Sequence, residues 1–135
     1  MPGYAKRFLA AVICLLLPLT ACTAQSQPAM IQELHAETSM LLFSDEKNLN
    51  AERPFYRALL NKSNNCSTDQ MDIRIISSQE EDISQYFGVS SYPSLYVMKG
   101  TELRDKYEGS LDQSDIETFI NGHVTCEETK EREEG

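Results

Sequence analysis

The sequence has few residues of the kinds that bind metal ions, and those few are not grouped. Four cysteines and two histidines occur among 135 residues, and the cysteines never form the closely spaced pairs of a structural zinc site. His35 and His123 have no other ligand residues clustered beside them, which predicts structural or incidental surface roles. No internal repeat is present. We therefore expect no metal site, no cofactor and no repeat architecture.

The chain also lacks an apolar run long enough to stay in a membrane as a helix. The run near the N-terminus, Phe8–Leu17, is about ten residues long, whereas a spanning helix needs roughly 20. It follows Lys6 and Arg7, the charge pattern that precedes the core of a secretory signal. The run therefore predicts a secretory leader and not a permanent anchor.

The four residues Leu19-Thr20-Ala21-Cys22, just behind this run, resemble a bacterial lipobox. In that motif a peptidase cuts before a cysteine that already carries a diacylglycerol, so Cys22 would become the lipidated first residue. Two acyl chains give a stable anchor. The resemblance implies an extracytoplasmic protein held on a bacterial membrane, with its domain in water. The alternative is an ordinary cleavable signal with Cys22 there by chance.

Four parts are expected along the chain. Residues 1–21 form the lipoprotein signal peptide, and residues 22–35 form the lipidated N-terminus and a polar tether. Of the 135 residues, the 114 that follow the first 21 are enough for one modest hydrophobic core. We assign that core to residues 36–126. Residues 127–135 are acidic, contain no apolar residue to pack, and are expected to be a disordered tail.

Basic residues are scarce relative to acidic ones. The formal net charge is −9, and it becomes −11 without Lys6 and Arg7 of the leader. The tail carries −3 of this charge, which leaves −8 on the domain. Nucleic acid or a bare anionic lipid surface would be repelled by such a domain at moderate salt. We therefore expect no binding to nucleic acid. We also expect the protein to be a monomer.

Hydrophobic spacing predicts alternating strands and helices in the domain. Met40–Phe43 is a short apolar run typical of a buried strand. Met71, Ile73 and Ile75 alternate with polar residues and predict a second strand with one buried face. The other predicted elements are a helix over Ala51–Lys62 with Pro54 near its start, a helix from the capping box Ser78–Glu81 to Gly88, a hairpin of Ser94–Met98 and Leu103–Tyr107, and a last helix from Asp112 to Gly122.

From Met40 to about Asn121 this order resembles the thioredoxin fold. Residues 86–97, Tyr-Phe-Gly-Val-Ser-Ser-Tyr-Pro-Ser-Leu-Tyr-Val, look like the family's segment from the third helix through the cis-proline into the fourth strand. Residues 99–111 are similar to the family's hairpin and its approach to the C-terminal helix. The resemblance implies an α/β, thioredoxin-like fold with a central mixed sheet of about four strands flanked by helices.

The resemblance also implies a role for Ser91, Tyr92 and Pro93. In the family the peptide bond before this proline is cis, and the backbone beside it pairs with an extended substrate segment. The Tyr92–Pro93 bond is therefore expected to be cis, and these residues to form a peptide-binding site. The alternative is an ordinary trans proline at the start of an edge strand.

This chain departs from the family at the catalytic position. Thioredoxins place Cys-x-x-Cys after the first central strand, at a helix N-terminus that stabilises a thiolate. Here that region, Ser44–Arg53, contains no cysteine, and we expect no base beside Ser44. Thiol-disulfide exchange at the usual position is therefore excluded, and we predict no catalytic residues and no enzyme activity.

Cys66 and Cys126 remain in the folded domain. By the same resemblance each follows the C-terminal end of a helix, and the two helices cover one face of the sheet. Their thiols would then meet at the end of the sheet opposite to the usual active site. A structural disulfide is the leading interpretation. Free or dimer-forming thiols and a redox-active pair are the alternatives.

The sequence is compatible with three functions. The leading hypothesis is a redox-inactive, membrane-anchored lipoprotein of the bacterial cell envelope that binds an extended segment of a partner protein or peptide, using Tyr92–Pro93 and the loop Ser44–Asn50. The second is an envelope thiol-disulfide oxidoreductase that acts through Cys66 and Cys126. The third is a structural, cell-wall-associated lipoprotein.

Overall fold

The computed structural model describes residues 27–126. The predicted leader, the predicted lipidation site at Cys22 and the acidic tail lie outside the described residues. The elements are α1 (Ala29–Gln32), β1 (Thr38–Ser44), a 3₁₀ turn (Glu46–Asn48), α2 (Leu49–Ser63), β2 (Met71–Ser77), α3 (Glu81–Phe87), β3 (Ser94–Lys99), β4 (Glu102–Tyr107) and α4 (Gln113–His123). None of the helices within 27–126 is both long and apolar enough to cross a membrane.

The four strands form one mixed sheet in the order β2-β1-β3-β4. β1 is parallel to β2 and antiparallel to β3, and β3 is antiparallel to β4. Helices pack on both sides of this sheet, so the predicted α/β architecture with a four-stranded mixed sheet is confirmed. The predicted hairpin is also confirmed, with Gly100 in its turn at φ +59°, a conformation that glycine adopts without steric cost.

β1 is the centre of the hydrophobic core because apolar side chains cover both of its faces. All seven of its residues are buried, and its alternate side chains point to opposite faces of the sheet. Met40 and Leu42 belong to a cluster on one face, with apolar residues of α2 and α4. Leu41 and Phe43 belong to a cluster on the other face, with Ile31 of the segment around α1. The continuous apolar run therefore reflects a strand that is buried on both sides.

α2 begins two residues before the predicted start, and Pro54 lies inside it. The placement of Pro54 near the helix start is therefore wrong. The Asp45 side chain accepts a hydrogen bond from the Lys47 N–H at 3.1 Å and caps the 3₁₀ turn that leads into the helix. Because of this cap, helical structure begins upstream of the first residues with helical apolar spacing. Because proline has no N–H, the carbonyl of Asn50 lacks its intrahelical donor.

The predicted capping box Ser78–Glu81 is wrong, because the N-cap residue of α3 is Glu80 and it makes no side-chain capping hydrogen bond. The Ser77 hydroxyl, and not that of Ser78, accepts from the Gln79 N–H at 3.2 Å. The Glu80 carboxylate accepts in return from the Ser77 N–H at 2.9 Å. The reciprocal pair therefore closes a turn, and the helix itself begins at Glu81.

The remaining predicted helix ends are close to those observed. Gly88 ends α3 in the left-handed conformation at φ +66°, as predicted. Asp112 caps α4, because its Oδ1 accepts from the Ser114 N–H at 2.8 Å. The last helix continues one residue beyond Gly122, the predicted end, and finishes at His123.

β2 forms one edge of the sheet within residues 27–126, and this position changes which of its side chains are buried. Met71 and Ile76 are buried, whereas Ile75 is 54% exposed. The prediction that Ile75 belongs to a buried face is therefore wrong. Alternation along a strand identifies its two faces, but an edge strand is only partly covered by the helices.

Side chains and a turn occupy the backbone donors on the open side of β2. In a parallel pair with this register, the N–H groups of alternate residues, beginning at Met71, point away from β1. The Met71 N–H donates to the Ser67 carbonyl at 3.1 Å. The Ile73 N–H donates to Asp72 Oδ1 at 3.0 Å, and the Ser77 N–H donates to Glu80. Native edge strands resist pairing with other chains by devices of this kind.

Asp72→Ala is expected to increase self-association of the protein. The change frees the Ile73 N–H on the open edge and removes the ion pair between Asp72 and Arg74, whose atoms are 2.8 Å apart. Sedimentation velocity over a concentration series measures the effect. Asp69→Ala is the control because it removes an equal charge from the turn before β2. Equal behaviour of the two variants would show that the cap does not protect the edge.

Candidate functional site

Four connections meet at one end of the sheet, which we call the loop end. It consists of residues 45–48 after β1, 78–82 after β2, 91–93 before β3 and 108–111 after β4. These segments share one end because β1 and β2 run parallel while β3 runs antiparallel to β1. In open sheets with parallel strands, ligands bind outside the carboxyl ends of those strands. The loop end has this position in the present sheet.

The Tyr92–Pro93 peptide bond lies at the loop end and is cis, as the resemblance implied. Ser94 follows it as the first residue of β3 and pairs with Phe43 at the end of β1. Ser91 is exposed, and Tyr92 and Pro93 are half-buried. The segment is therefore fixed by the sheet on one side and accessible from solvent on the other.

A fully buried carboxylate, Glu52 of α2, lies beneath the same end of the sheet. Its Oε2 accepts a hydrogen bond from the Ser44 hydroxyl at 2.5 Å, and its Oε1 accepts from the Asp45 N–H at 2.6 Å. The Tyr56 hydroxyl lies 3.3 Å from Ser44 Oγ. Glu52 therefore ties the first turns of α2 to the end of β1.

The expectation that Ser44 has no base beside it is wrong, because the Glu52 carboxylate accepts a hydrogen bond from the Ser44 hydroxyl. The pair is nevertheless closed to a substrate, since Ser44 is 2% exposed and Glu52 is 0% exposed. A nucleophile has to reach the reacting atom of its substrate. The geometry thus assigns Glu52 to fixing the conformation of the loop that follows β1.

The loop end is strongly acidic. Its segments contain six acidic residues and one basic residue, Lys47. The acidic residues are Asp45, Glu46, Glu80, Glu81, Asp82 and Glu108. Such an excess of one sign attracts cationic groups and repels anionic ones.

Two tyrosines of the sheet, one in β3 and one in β4, have a raised pKa. Burial, and then the carboxylate of Glu108, raise the pKa of Tyr96, whose hydroxyl lies 3.5 Å from Glu108 Oε1. Burial, and then Asp115 and Asp112, raise the pKa of Tyr107. Both groups are therefore held in the neutral, protonated form.

Because the folded pKa of Tyr96 is raised, its contribution to stability is complete below the ordinary tyrosine pKa and is lost as pH rises above it. We expect Tyr96→Phe to flatten the alkaline fall of the free energy of unfolding, and Glu108→Gln to flatten it less. Urea unfolding between about pH 8 and pH 11 measures this. The difference in tyrosinate absorbance between wild type and Tyr96→Phe separates the ionisation of Tyr96 from that of the other five tyrosines. An unchanged alkaline limb in Tyr96→Phe would contradict the assignment.

Cys66 and Cys126 form a disulfide at the other end of the sheet, which we call the disulfide end. Their Cα atoms are 5.2 Å apart. The predicted bridge is thus confirmed, and it joins the segments that follow α2 and α4. His123 is close by on the surface, where its Nε2 lies 2.9 Å from Asp105 Oδ2.

Besides the disulfide, polar side-chain contacts hold α2 and α4 together. Asn61 Nδ2 donates to Glu117 Oε1 at 3.1 Å, and Lys62 Nζ donates to Asn121 Oδ1 at 2.9 Å. Hydrogen bonds from Gln113 and then Asn61 lower the pKa of Glu117. In the described part of the chain, no three ligand-type side chains are grouped so as to hold a metal ion.

A mixed sheet in the order β2-β1-β3-β4, helices on both faces and a cis-proline before β3 define a thioredoxin-like fold. Solved structures of this class superpose on the chain. Human ERp44 in its zinc-bound form has a TM-score of 0.59 at 17% identity, over 72% of this chain and 30% of that one. The J-Trx1 fragment of ERdj5 has a TM-score of 0.55 at 17% identity, over 71% and 46%. Trxlp from Edwardsiella tarda EIB202 has a TM-score of 0.56 at 13% identity, over 67% and 87%.

These likenesses establish the fold alone, because the identities are low. The chain corresponds to less than a third of the ERp44 chain and to most of the Trxlp chain. No protein-family model matches the sequence, and the search of curated proteins found no match either. Its function therefore has to be argued from its own residues.

Proposed function

We propose that this protein is a redox-inactive, thioredoxin-like lipoprotein of the bacterial cell envelope that binds an extended segment of a partner protein. The membrane anchor is the lipid on Cys22, and the binding site is the loop end. The observation that carries the proposal is the accessible cis peptide of Tyr92–Pro93 beside a loop without cysteine.

The backbone around Ser91 supports this use of the loop end. An extended peptide gains affinity from main-chain hydrogen bonds to a strand-like partner and specificity from pockets for alternate side chains. Ser91 is exposed, and the following residues are fixed at the start of β3. A site of this kind is preorganised, so little conformational entropy is lost when the peptide binds.

The positions of the sulfur atoms support the redox-inactive part of the proposal. Thiol-disulfide exchange needs a thiolate that is accessible and stabilised by a positive field. The loop end contains no cysteine. Cys66 and Cys126 are joined to each other at the disulfide end, after the C-terminal ends of their helices, where the helix dipole disfavours a thiolate.

Site-specific photo-crosslinking tests partner binding. A photoreactive residue is placed at Ser91 in the full chain, and the control places it at Thr68, an exposed residue near the disulfide end. We expect crosslinked products in cell envelopes from Ser91 and not from Thr68. Identical products from the two positions, or none from Ser91, would overturn the binding site.

Reduction of insulin by dithiothreitol tests the absence of redox chemistry. The full chain is expected to give the rate of the Cys66→Ser/Cys126→Ser variant and of buffer alone. Turnover that depends on either cysteine would refute the redox-inactive function and favour an oxidoreductase.

Membrane fractionation tests the anchor. Cys22→Ala is expected to abolish incorporation of labelled palmitate and to release the protein from membranes. Cys14→Ala, in the apolar run of the leader, is the matched control and should remain acylated. Retention of acylated Cys22→Ala protein on membranes would contradict lipidation at this position.

A further inference from the structure

We propose that the groove between α2 and α4 binds a glycan strand of the cell wall through its uncharged, N-acetylated sugar units. This site is separate from the loop end, so the inference goes beyond the proposed function. It is carried by the accessible amide groups of the groove, by its balanced charge and by its position relative to the membrane anchor. Only the position of the anchor rests on the proposed lipid at Cys22.

The groove lies where α2 and α4 pack against each other, and its volume is about 290 Å³. This volume is close to the lower limit for small-molecule sites, roughly 300 Å³. Ala58 and Ile120 are buried and form an apolar floor. The other lining residues are polar, and they are Asn61, Lys62, Asn65, Glu117 and Asn121.

The three asparagines of the groove are exposed and keep hydrogen-bonding groups for a ligand. Asn61 donates through Nδ2 to Glu117, and Asn121 accepts through Oδ1 from Lys62. Asn61 Oδ1 and Asn121 Nδ2 have no such partner within residues 27–126. Asn65 uses Nδ2 for a 3.4 Å contact with the Asn61 carbonyl, and its Oδ1 is likewise without a partner in this range. The existing contacts fix the orientation of the amides, so little side-chain entropy is lost on binding.

The charge of the groove favours a neutral ligand. Lys62 and Glu117 are its two ionisable residues, and each is hydrogen-bonded to a side-chain amide. The groove is therefore neutral within a domain whose formal charge is −8. Amide groups both donate and accept hydrogen bonds, as do the hydroxyl and acetamido groups of an N-acetylated sugar.

The groove lacks the features by which proteins bind other polymers. Its walls are helices, so it has no strand edge for an extended peptide, and its lining has no aromatic side chain or arginine cluster. One lysine cannot neutralise a nucleic-acid backbone. A sugar fits these walls, because its polar groups meet the amides while the C–H face of its ring contacts Ala58 and Ile120.

The groove also lies on the side of the sheet opposite to the anchor. Ile31, next to the point where the tether enters the domain, packs on one face of the sheet, and α2 and α4 pack on the other. Pro28 follows Cys22 by six positions, and six extended residues span at most about 20 Å. With a lipid on Cys22, the α1 side stays near the bilayer and the groove is directed toward the cell wall.

Titration of the isotope-labelled full chain in detergent with the tetrasaccharide of N-acetylglucosamine, followed by NMR, tests the inference. We expect saturable shifts of the side-chain amide signals of Asn61, Asn65 and Asn121. Cellotetraose has the same sugar backbone without acetamido groups and should bind about fivefold more weakly. Both sugars are neutral, so the acidic surface of the domain does not bias the comparison.

Two neighbouring asparagines give a matched pair of variants. Asn65→Ala should weaken binding of the tetrasaccharide about tenfold, because it removes an amide from the groove. Asn64→Ala, at an exposed position that does not line the groove, should leave binding unchanged. Cosedimentation with purified cell-wall sacculi should show the same difference between the two variants.

Each outcome supports or overturns the inference. Absence of saturable shifts, equal binding of the two sugars, or equal losses in Asn64→Ala and Asn65→Ala would overturn the site. Binding of the tetrasaccharide without cosedimentation would overturn the assignment to the cell wall. None of these results affects crosslinking from Ser91 or acylation of Cys22, which test the proposed function separately.

Discussion

The Cys66→Ser/Cys126→Ser variant is expected to lose about 4 kcal/mol of its free energy of unfolding. The disulfide closes a loop between residues that are 60 apart in sequence, and such a cross-link restricts the unfolded chain most when the loop is long. It also holds the end of α4 against the end of α2, so its loss allows the last helix to separate from the sheet.

Urea unfolding of the full chain in detergent, with and without reductant, measures this loss. Reduced wild type and the serine double variant should agree, because both lack the same bond. Thr68→Ala, at an exposed position close to Cys66, is the control and should change the stability by less than about 0.5 kcal/mol. A loss below about 1 kcal/mol in the double variant would show that the bridge does not restrict the unfolded chain appreciably.

Glu52→Ala is expected to lower the free energy of unfolding by about 3 kcal/mol. It leaves the Ser44 hydroxyl and the Asp45 N–H without their acceptors and opens a small cavity beneath the loop. Glu52→Gln should cost less, because one carbonyl oxygen of the amide can still accept. Glu52→Ala should also loosen the loop that follows β1, and so reduce peptide binding at the loop end.

Glu46→Ala is the matched control for Glu52, since it removes an exposed carboxylate from the same region. A double-mutant cycle with Ser44→Ala measures the coupling between Glu52 and Ser44. If Glu52→Ala costs no more than Glu46→Ala, the buried hydrogen bonds contribute nothing to stability. Hydrogen exchange at the Asp45 amide reports whether the loop has opened.

Much of the fold could be predicted because local signals agreed with the final packing. Met40–Phe43 is apolar without alternation because it lies in the centre of the sheet. The hairpin around Gly100 and the start of α4 at Asp112 follow from turn and capping chemistry that depends on neighbouring residues alone. Ile75 was misplaced because its exposure depends on where β2 lies in the sheet, which spacing does not reveal.

The site was less predictable, for reasons that differ from residue to residue. The cis bond before Pro93 and the pairing of Cys66 with Cys126 followed from the resemblance to thioredoxins. Glu52 was missed because a glutamate normally faces water, and its one sequence signal was its position three residues before Phe55 on the buried face of α2.

The occupied donors along β2 affect how closely packed copies of the protein can interact. Three of the four amides that face away from β1 are already engaged, by a turn carbonyl and by two carboxylates. A neighbouring copy therefore finds few free donors for strand pairing along that flank. Closely packed copies can therefore touch along β2 with little tendency to pair their strands into fibrils.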